Sequence, residues 1–173
     1  MINVANLIQL KAFARQDGLL LALLWAASFA CIMLFNAPLV GNLLALATPF
    51  VVAKRLGAFR DNALYGTISL RRAYAYSAYV FLYASLVFAL VQFGYFQFLD
   101  KGAFAELITT TMKQVAPIYE QNGISKAEIN NSINIVSMIT PIQWAFMFMM
   151  QNLMIGAAIS LPIALVGKRN KRQ

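Results

Sequence analysis

The chain has 173 residues, of which 61% are hydrophobic and only 12% are charged, and its net charge is +8. A soluble domain carries about 25% charged residues, so this composition excludes a water-soluble protein and indicates one domain that is integral to a membrane. The chain has no His and a single Cys, which excludes an internal disulfide and a Cys/His metal cluster. We therefore expect no metal and no other cofactor.

Two apolar runs occupy the first third of the chain. Residues 1–17 mix charged and apolar side chains, and we interpret them as an interfacial N-terminal segment. Residues 18–35 contain no charge, and at about 1.5 Å per residue they can cross a hydrocarbon core of about 30 Å. The second run, residues 39–53, is interrupted at Thr48-Pro49. Together the two runs predict a first transmembrane hairpin over residues 18–53.

A basic connector, residues 54–72, separates this hairpin from a second one over residues 73–166. The connector holds five basic residues and one acid, and the positive-inside rule places such a connector in the cytoplasm. The second hairpin begins with a long apolar run, residues 73–99, and ends with another, residues 142–166. A basic tail, residues 167–173, follows. Three tyrosines in the first turns of the third span fit an aromatic belt at the membrane surface: Tyr74, Tyr76 and Tyr79.

The distribution of Lys and Arg supports this topology. The N-terminal segment, the connector and the tail together carry eleven basic residues and two acids, whereas residues 100–140 carry three basic residues and four acids. This asymmetry predicts that both termini are cytoplasmic. We therefore predict an all-α fold: an integral membrane four-helix bundle in the inner (cytoplasmic) membrane of a bacterium. The same asymmetry explains the high isoelectric point without a nucleic-acid partner.

Residues 100–140 predict two amphipathic helices outside the cytoplasm. Apolar residues recur at helical spacing between Phe104 and Ile118, and Asn122-Gly123 predicts where this first helix ends. Ser125 and Glu128 have the spacing of a capping box, which predicts the start of a second helix. The sequence leaves open whether the two helices cap the bundle or lie on the membrane.

The basic side chains of the predicted cytoplasmic face are candidate contacts for a partner or for anionic lipid. With one neighbouring acid, these candidates are Lys54, Arg55, Arg60, Asp61, Arg71, Arg72, Lys168 and Arg169. Either the residues set the topology and bind the anionic inner leaflet, or they form a docking surface for a phosphate-bearing lipid or an acidic protein.

Amide side chains are the notable polar groups of the predicted spans, which we expect to contain no ionisable residue. They are Asn42, Gln92, Gln151 and Asn152. Such residues form hydrogen bonds between helices or line a polar pocket for a ligand. Without charged groups at depth, the sequence disfavours ion-coupled transport.

Four short motifs resemble a bacterial family of four-span membrane proteins, domain of unknown function 4199. They are Thr48-Pro49, Arg60-Asp61, Gly66-Thr67-Ile68-Ser69 before Ala73, and Asn122-Gly123-Ile124-Ser125 with Glu128-Ile129. The resemblance covers nearly the whole chain and implies the same four-span architecture. The family has no established activity, but its members are often encoded near polyprenyl-phosphate glycosyltransferases. The resemblance therefore implies a membrane subunit that assists a cytoplasmic enzyme acting on lipid-linked sugars.

The sequence favours a protein without catalytic activity. It contains no Ser/His/Asp set, no carboxylate pair within reach of each other and no glycine-rich phosphate loop. We expect an anchor or accessory subunit of a membrane complex, and the alternative is a small carrier or flippase for a lipid-linked or neutral solute. The expected partners are anionic membrane lipids, a cytoplasmic or membrane protein, or a second copy of the chain.

Overall fold

The computed structural model of the chain describes residues 4–169, and in this range seven α-helices account for nearly all of the structure. The helices are α1 (Val4–Met33), α2 (Pro38–Leu46), α3 (Thr48–Ala63), α4 (Leu70–Phe98), α5 (Ala103–Gln121), α6 (Lys126–Ser137) and α7 (Pro141–Gly167). Four segments are long and apolar enough to cross a membrane: α1, α2 together with α3, α4, and α7. The predicted all-α, four-span, multi-pass architecture is thereby confirmed.

The first helix begins earlier than the predicted first span. α1 is continuous from Val4 to Met33, so the described part of the N-terminal segment belongs to this helix and is not a separate element. The reason is a stripe of buried residues at helical spacing, Leu10, Ala14, Asp17 and Leu21, with no Pro or Gly to break the helix before Gly18. The stripe includes Asp17, which lies one residue before the predicted first span.

The second span is two helices joined at Ala47. The backbone N–H of Ala47 donates to Leu43 and Leu44, and the chain re-enters a helix at once. Pro49 has no N–H to donate, which explains the break. α3 then continues to Ala63, so the first half of the basic connector is helical and only residues 64–69 form a loop.

The chain divides into two compact units, of which the second is residues 90–147 and the first is the chain on either side of it. In the first unit α1, α3, α4 and α7 share one apolar core, whose largest fully buried side chains include Leu21, Leu56, Phe59, Tyr76 and Phe81. Tyr76 is therefore not part of an aromatic belt: its side chain is completely buried among the helices.

Two glycines let the helices of the first unit approach closely. A Cβ atom on Gly18 would lie 2.7 Å from the Cβ of Tyr83, and one on Gly156 would lie 2.5 Å from the ring of Phe81. The first glycine brings α1 against α4 and the second brings α7 against α4. Close contacts at small residues are the usual way in which helices pack within membranes.

The second unit contains α5 and α6. α5 ends at Gln121, and Gly123 follows with a φ of +88°, as the Asn122-Gly123 signal predicts. The Ser125 hydroxyl accepts a hydrogen bond from the Glu128 N–H at 3.2 Å, and the Glu128 carboxylate accepts one from the Ser125 N–H at 2.9 Å. The predicted capping box at the start of α6 is confirmed.

Candidate functional site

An acidic side chain joins three helices of the first unit. Asp17 on α1 is only 2% exposed, and its two carboxylate oxygens have different partners. One oxygen accepts a hydrogen bond from Arg55 Nε on α3 at 2.5 Å, and the other accepts one from the Tyr76 hydroxyl on α4. The Tyr76 ring stacks on Phe59 of α3 with 4.6 Å between the ring centroids. Each oxygen of this buried carboxylate thus has a hydrogen-bond donor, as buried polar groups usually do.

A second arginine connects α3 to the end of α7. Arg60 donates two hydrogen bonds to the neighbouring Asp61 carboxylate, at 2.7 and 2.9 Å, and a third at 3.1 Å to the carbonyl oxygen of Gly167. The last carbonyl groups of a helix lack partners within the helix, so this arginine caps α7. Just beyond it, Ile68 and Arg169 exchange two backbone hydrogen bonds, of 2.9 and 3.1 Å.

A third arginine packs on an aromatic ring. The Arg72 guanidinium lies 5.8 Å from the centroid of Phe59 and donates to the Gln9 side chain at 3.2 Å. Arg72 is half-buried. It therefore holds the start of α4 against α1 and α3, and its planar guanidinium is suited to stacking in this way.

The predicted contact residues thus separate into two groups. Arg55, Arg60 and Arg72 are used in contacts between helices, and Asp61 pairs with Arg60 on the same helix. Lys54, Arg71, Lys168 and the side chain of Arg169 are exposed, and within residues 4–169 no acidic side chain forms an ion pair with any of these four. These exposed residues are the ones that remain available to an anionic partner.

A shallow groove of about 380 Å³ lies beside Arg71, between α4 and α7. Its walls come from Leu70, Arg71 and Tyr74 on α4, and from two alanines and a leucine on α7: Ala157, Ala158 and Leu161. The two alanines make the floor low enough for another helix to approach. Arg71 places a positive charge at one end of an otherwise apolar surface.

The predicted intramembrane amides do not line the interior of the first unit together. Asn42 on α2 and Gln151 on α7 are exposed, and Asn152 is half-buried. Gln92, which belongs to the second unit, is 3% exposed, and its side-chain oxygen has no hydrogen-bond partner within the described residues. Facing outwards, Asn42 and Gln151 cannot contribute to a polar pocket inside the first unit.

Sequence reasoning missed Asp17, which is the most buried of the charged side chains described. The signal was available: Asp17 lies three residues after Ala14 and seven after Leu10, on the same helical face as both. The mixed composition of residues 1–17 obscured this face, because Lys11 and Arg15 lie between its buried residues in the sequence.

Comparisons with known proteins give one match. Neither the comparison with curated proteins nor that with solved structures finds a match. The family model described as a protein of unknown function (DUF4199) matches residues 16–169. This range runs from the turn of α1 that carries Asp17 to Arg169, the partner of Ile68, and it includes α2 to α7 in full. The chain therefore belongs to the DUF4199 family, as its short motifs predicted.

Proposed function

We propose that this protein is a non-enzymatic anchor or accessory subunit of a membrane complex, and that its partner docks on the groove between α4 and α7. The observation that carries the proposal is the combination of an exposed Arg71 with no ion-pair partner among the described residues, a floor of small residues and an outward-facing amide on α7. The partner that fits this surface is a transmembrane helix with an acidic residue near its cytoplasmic end.

The exposed face of α7 supports a helix as the occupant. Gln151 and Ala158 are seven residues apart, so they lie on nearly the same side of α7, about 10 Å apart along its axis. Met154 and Leu161 are exposed on this side as well. In lipid, an outward-facing amide has no hydrogen-bond partner unless another helix supplies one. A partner helix along this face would bond to Gln151, contact Ala158 and reach Arg71.

The resemblance described above suggests which partners to test first. A cytoplasmic or membrane enzyme acting on polyprenyl-linked sugars would need a subunit that fixes its position at the membrane. The apolar groove with Arg71 at one end would supply such a position without contributing a catalytic group.

The groove predicts the effect of two matched pairs of substitutions. Arg71→Glu would place a negative charge opposite the partner's acid and reduce recovery of a copurifying partner by at least about tenfold. Lys54→Glu makes the same charge change on an exposed residue outside the groove and should leave recovery unchanged. Likewise Ala158→Phe would fill the groove and should reduce recovery of the partner. Ala27→Phe changes an exposed alanine on α1 and should leave recovery unchanged.

The experiment is native mass spectrometry of each variant after mild detergent extraction, combined with photo-crosslinking from position 158 or position 27. The proposal predicts a stoichiometric protein crosslinked from position 158 and lost in Arg71→Glu. It fails if Arg71→Glu and Lys54→Glu retain the same partner at wild-type yield, or if position 158 crosslinks only to a second copy of the chain.

A further inference from the structure

A second groove in the first unit lies between α1 and α4 and has a volume of about 770 Å³, within the range of about 300–1,000 Å³ for small-molecule sites. Its walls include Phe13, Arg15, Gln16 and Leu19 on α1, and Tyr83 and Leu86 on α4. This groove is separate from the one proposed for the partner, which lies between α4 and α7.

The groove is polar at one end and apolar at the other. α1 and α4 run in the same direction, since the ring of Tyr79 lies next to Lys11 and that of Phe88 next to Trp25. Arg15 and Gln16 therefore lie nearer the connector end of the helices than Leu19 and Leu86 do. This polarity matches an amphiphile with its head group at the connector end.

The polar end of the groove carries positive charge that no acidic side chain of residues 4–169 neutralises. Arg15 is exposed, and Lys11 lies 5.3 Å from the centroid of Tyr79, whose ring stacks on Tyr83 in the groove wall. The nearest acid along α1 is Asp17, but its carboxylate is buried and bonded to Arg55 and Tyr76. Within the described residues neither Lys11 nor Arg15 has an acidic ion-pair partner.

The close contact at Gly18 fixes the shape of the groove. A Cβ atom there would lie 2.9 Å from the carbonyl oxygen of Val80, so the two helices touch at this point. The groove opens on the outer side of this contact, where Leu19 and Leu86 are both exposed. Because the helices are held together at Gly18, the groove does not depend on a ligand to keep it open.

We propose that this groove binds one anionic membrane phospholipid. An acyl chain lies along Leu19 and Leu86, and the phosphate contacts Arg15 and Lys11. The positive charge selects an anionic head group over a zwitterionic one, and each basic residue near the membrane surface contributes about 1 kcal/mol, or about fivefold in affinity.

The test is a native mass spectrometry titration of the full-length protein, stripped of lipid, with dioleoyl phosphatidylglycerol or dioleoyl phosphatidylcholine. The wild type should bind one phosphatidylglycerol molecule before any other, with an affinity at least about fivefold higher than for phosphatidylcholine. Arg15→Gln should lower this preference by about fivefold, whereas Lys54→Gln should leave it intact, because Lys54 is exposed and lies outside the groove.

A second pair of variants tests the apolar part of the groove. Leu86→Trp should weaken binding of both lipids by filling the groove, and Leu165→Trp changes an exposed leucine on α7 and should not. Equal affinity for the two lipids in the wild type would overturn the proposal. So would an Arg15→Gln variant that binds phosphatidylglycerol as tightly as Lys54→Gln does.

Discussion

Asp17 is the residue through which α1, α3 and α4 depend on one another. Its carboxylate is buried, and both of its partners belong to other helices. Removing one member of a buried pair costs more than the pair contributes, because the remaining polar group loses its partner without regaining water. Arg55 is 37% exposed in its side chain, so water reduces this cost on the arginine side.

We predict that Asp17→Asn destabilises the protein by about 1–3 kcal/mol, the usual effect of removing hydrogen bonds to a buried charged group. Thermal unfolding in a mild detergent measures this effect. Asp61→Asn, which changes an acid that is half exposed in its ion pair with Arg60, is the matched control and should leave the melting temperature nearly unchanged. A wild-type melting temperature for Asp17→Asn would contradict the structural role assigned to the carboxylate.

A double-mutant cycle measures the coupling energy between Asp17 and Tyr76. Tyr76→Phe removes only the hydroxyl that donates to Asp17. Because Tyr76→Phe and Asp17→Asn break the same hydrogen bond, their effects on the free energy of unfolding should be less than additive, with a coupling of about 0.5–3 kcal/mol. Additive effects would mean that the hydroxyl and the carboxylate stabilise the protein independently.

At the level of helices, the sequence predicts elements better than it predicts their ends. Apolar runs identified all four spans, and the Ser125 and Glu128 pair identified the first turn of α6. α1 begins before its apolar run and α3 ends after its own, since both helices continue through charged residues. Charge ends a hydrophobic run without ending a helix, because Lys and Arg are good helix formers.

The capping box of α6 predicts a pH dependence. Hydrogen bonds from the Ser125 N–H and hydroxyl to the Glu128 carboxylate lower the pKa of Glu128 below its ordinary value. These bonds stabilise α6 at pH values above the unfolded-state pKa of about 4.3, and the stabilisation is lost as the pH falls through the lower folded-state pKa.

Hydrogen exchange measures this effect as protection factors of the α6 amides at about pH 6 and about pH 3. Protection should fall with pH in the wild type and change less in Glu128→Gln, whose neutral amide does not titrate. The exposed Lys126–Glu120 ion pair, at 3.6 Å, is present in both proteins, so the difference between them isolates Glu128. Identical pH profiles of the two proteins would show that the Glu128 carboxylate does not stabilise α6.

At the level of the whole molecule, the structure brings together basic segments that are distant in sequence. Gln9 contacts Arg72, Arg60 contacts Gly167, and Ile68 pairs with Arg169. The N-terminal part of α1, the connector and the end of α7 therefore meet at one end of the first unit. The partition of Lys and Arg predicted that these segments share one side of the membrane. It did not predict the contacts between them.

The charge count could not distinguish the basic residues that bind within the protein from those that remain free. Arg55 and Arg71 are both arginines at the edge of a span, yet one bonds to Asp17 and the other borders an open groove. The difference depends on which residue of another helix lies opposite, and this follows from packing between helices that are distant in sequence. The grooves beside Arg71 and Arg15 could not be predicted from the sequence for the same reason.

We predict that this basic end is cytoplasmic, where the partner would dock. Cysteine accessibility tests it most directly, starting from a Cys31→Ser protein and introducing Tyr65→Cys, Lys168→Cys or Lys113→Cys, each at an exposed position. A membrane-impermeant maleimide should label Lys113→Cys in intact cells, and should label the other two only after the membrane is permeabilised. Labelling of Tyr65→Cys in intact cells, or of Lys113→Cys only after permeabilisation, would contradict the topology and the docking surface built on it.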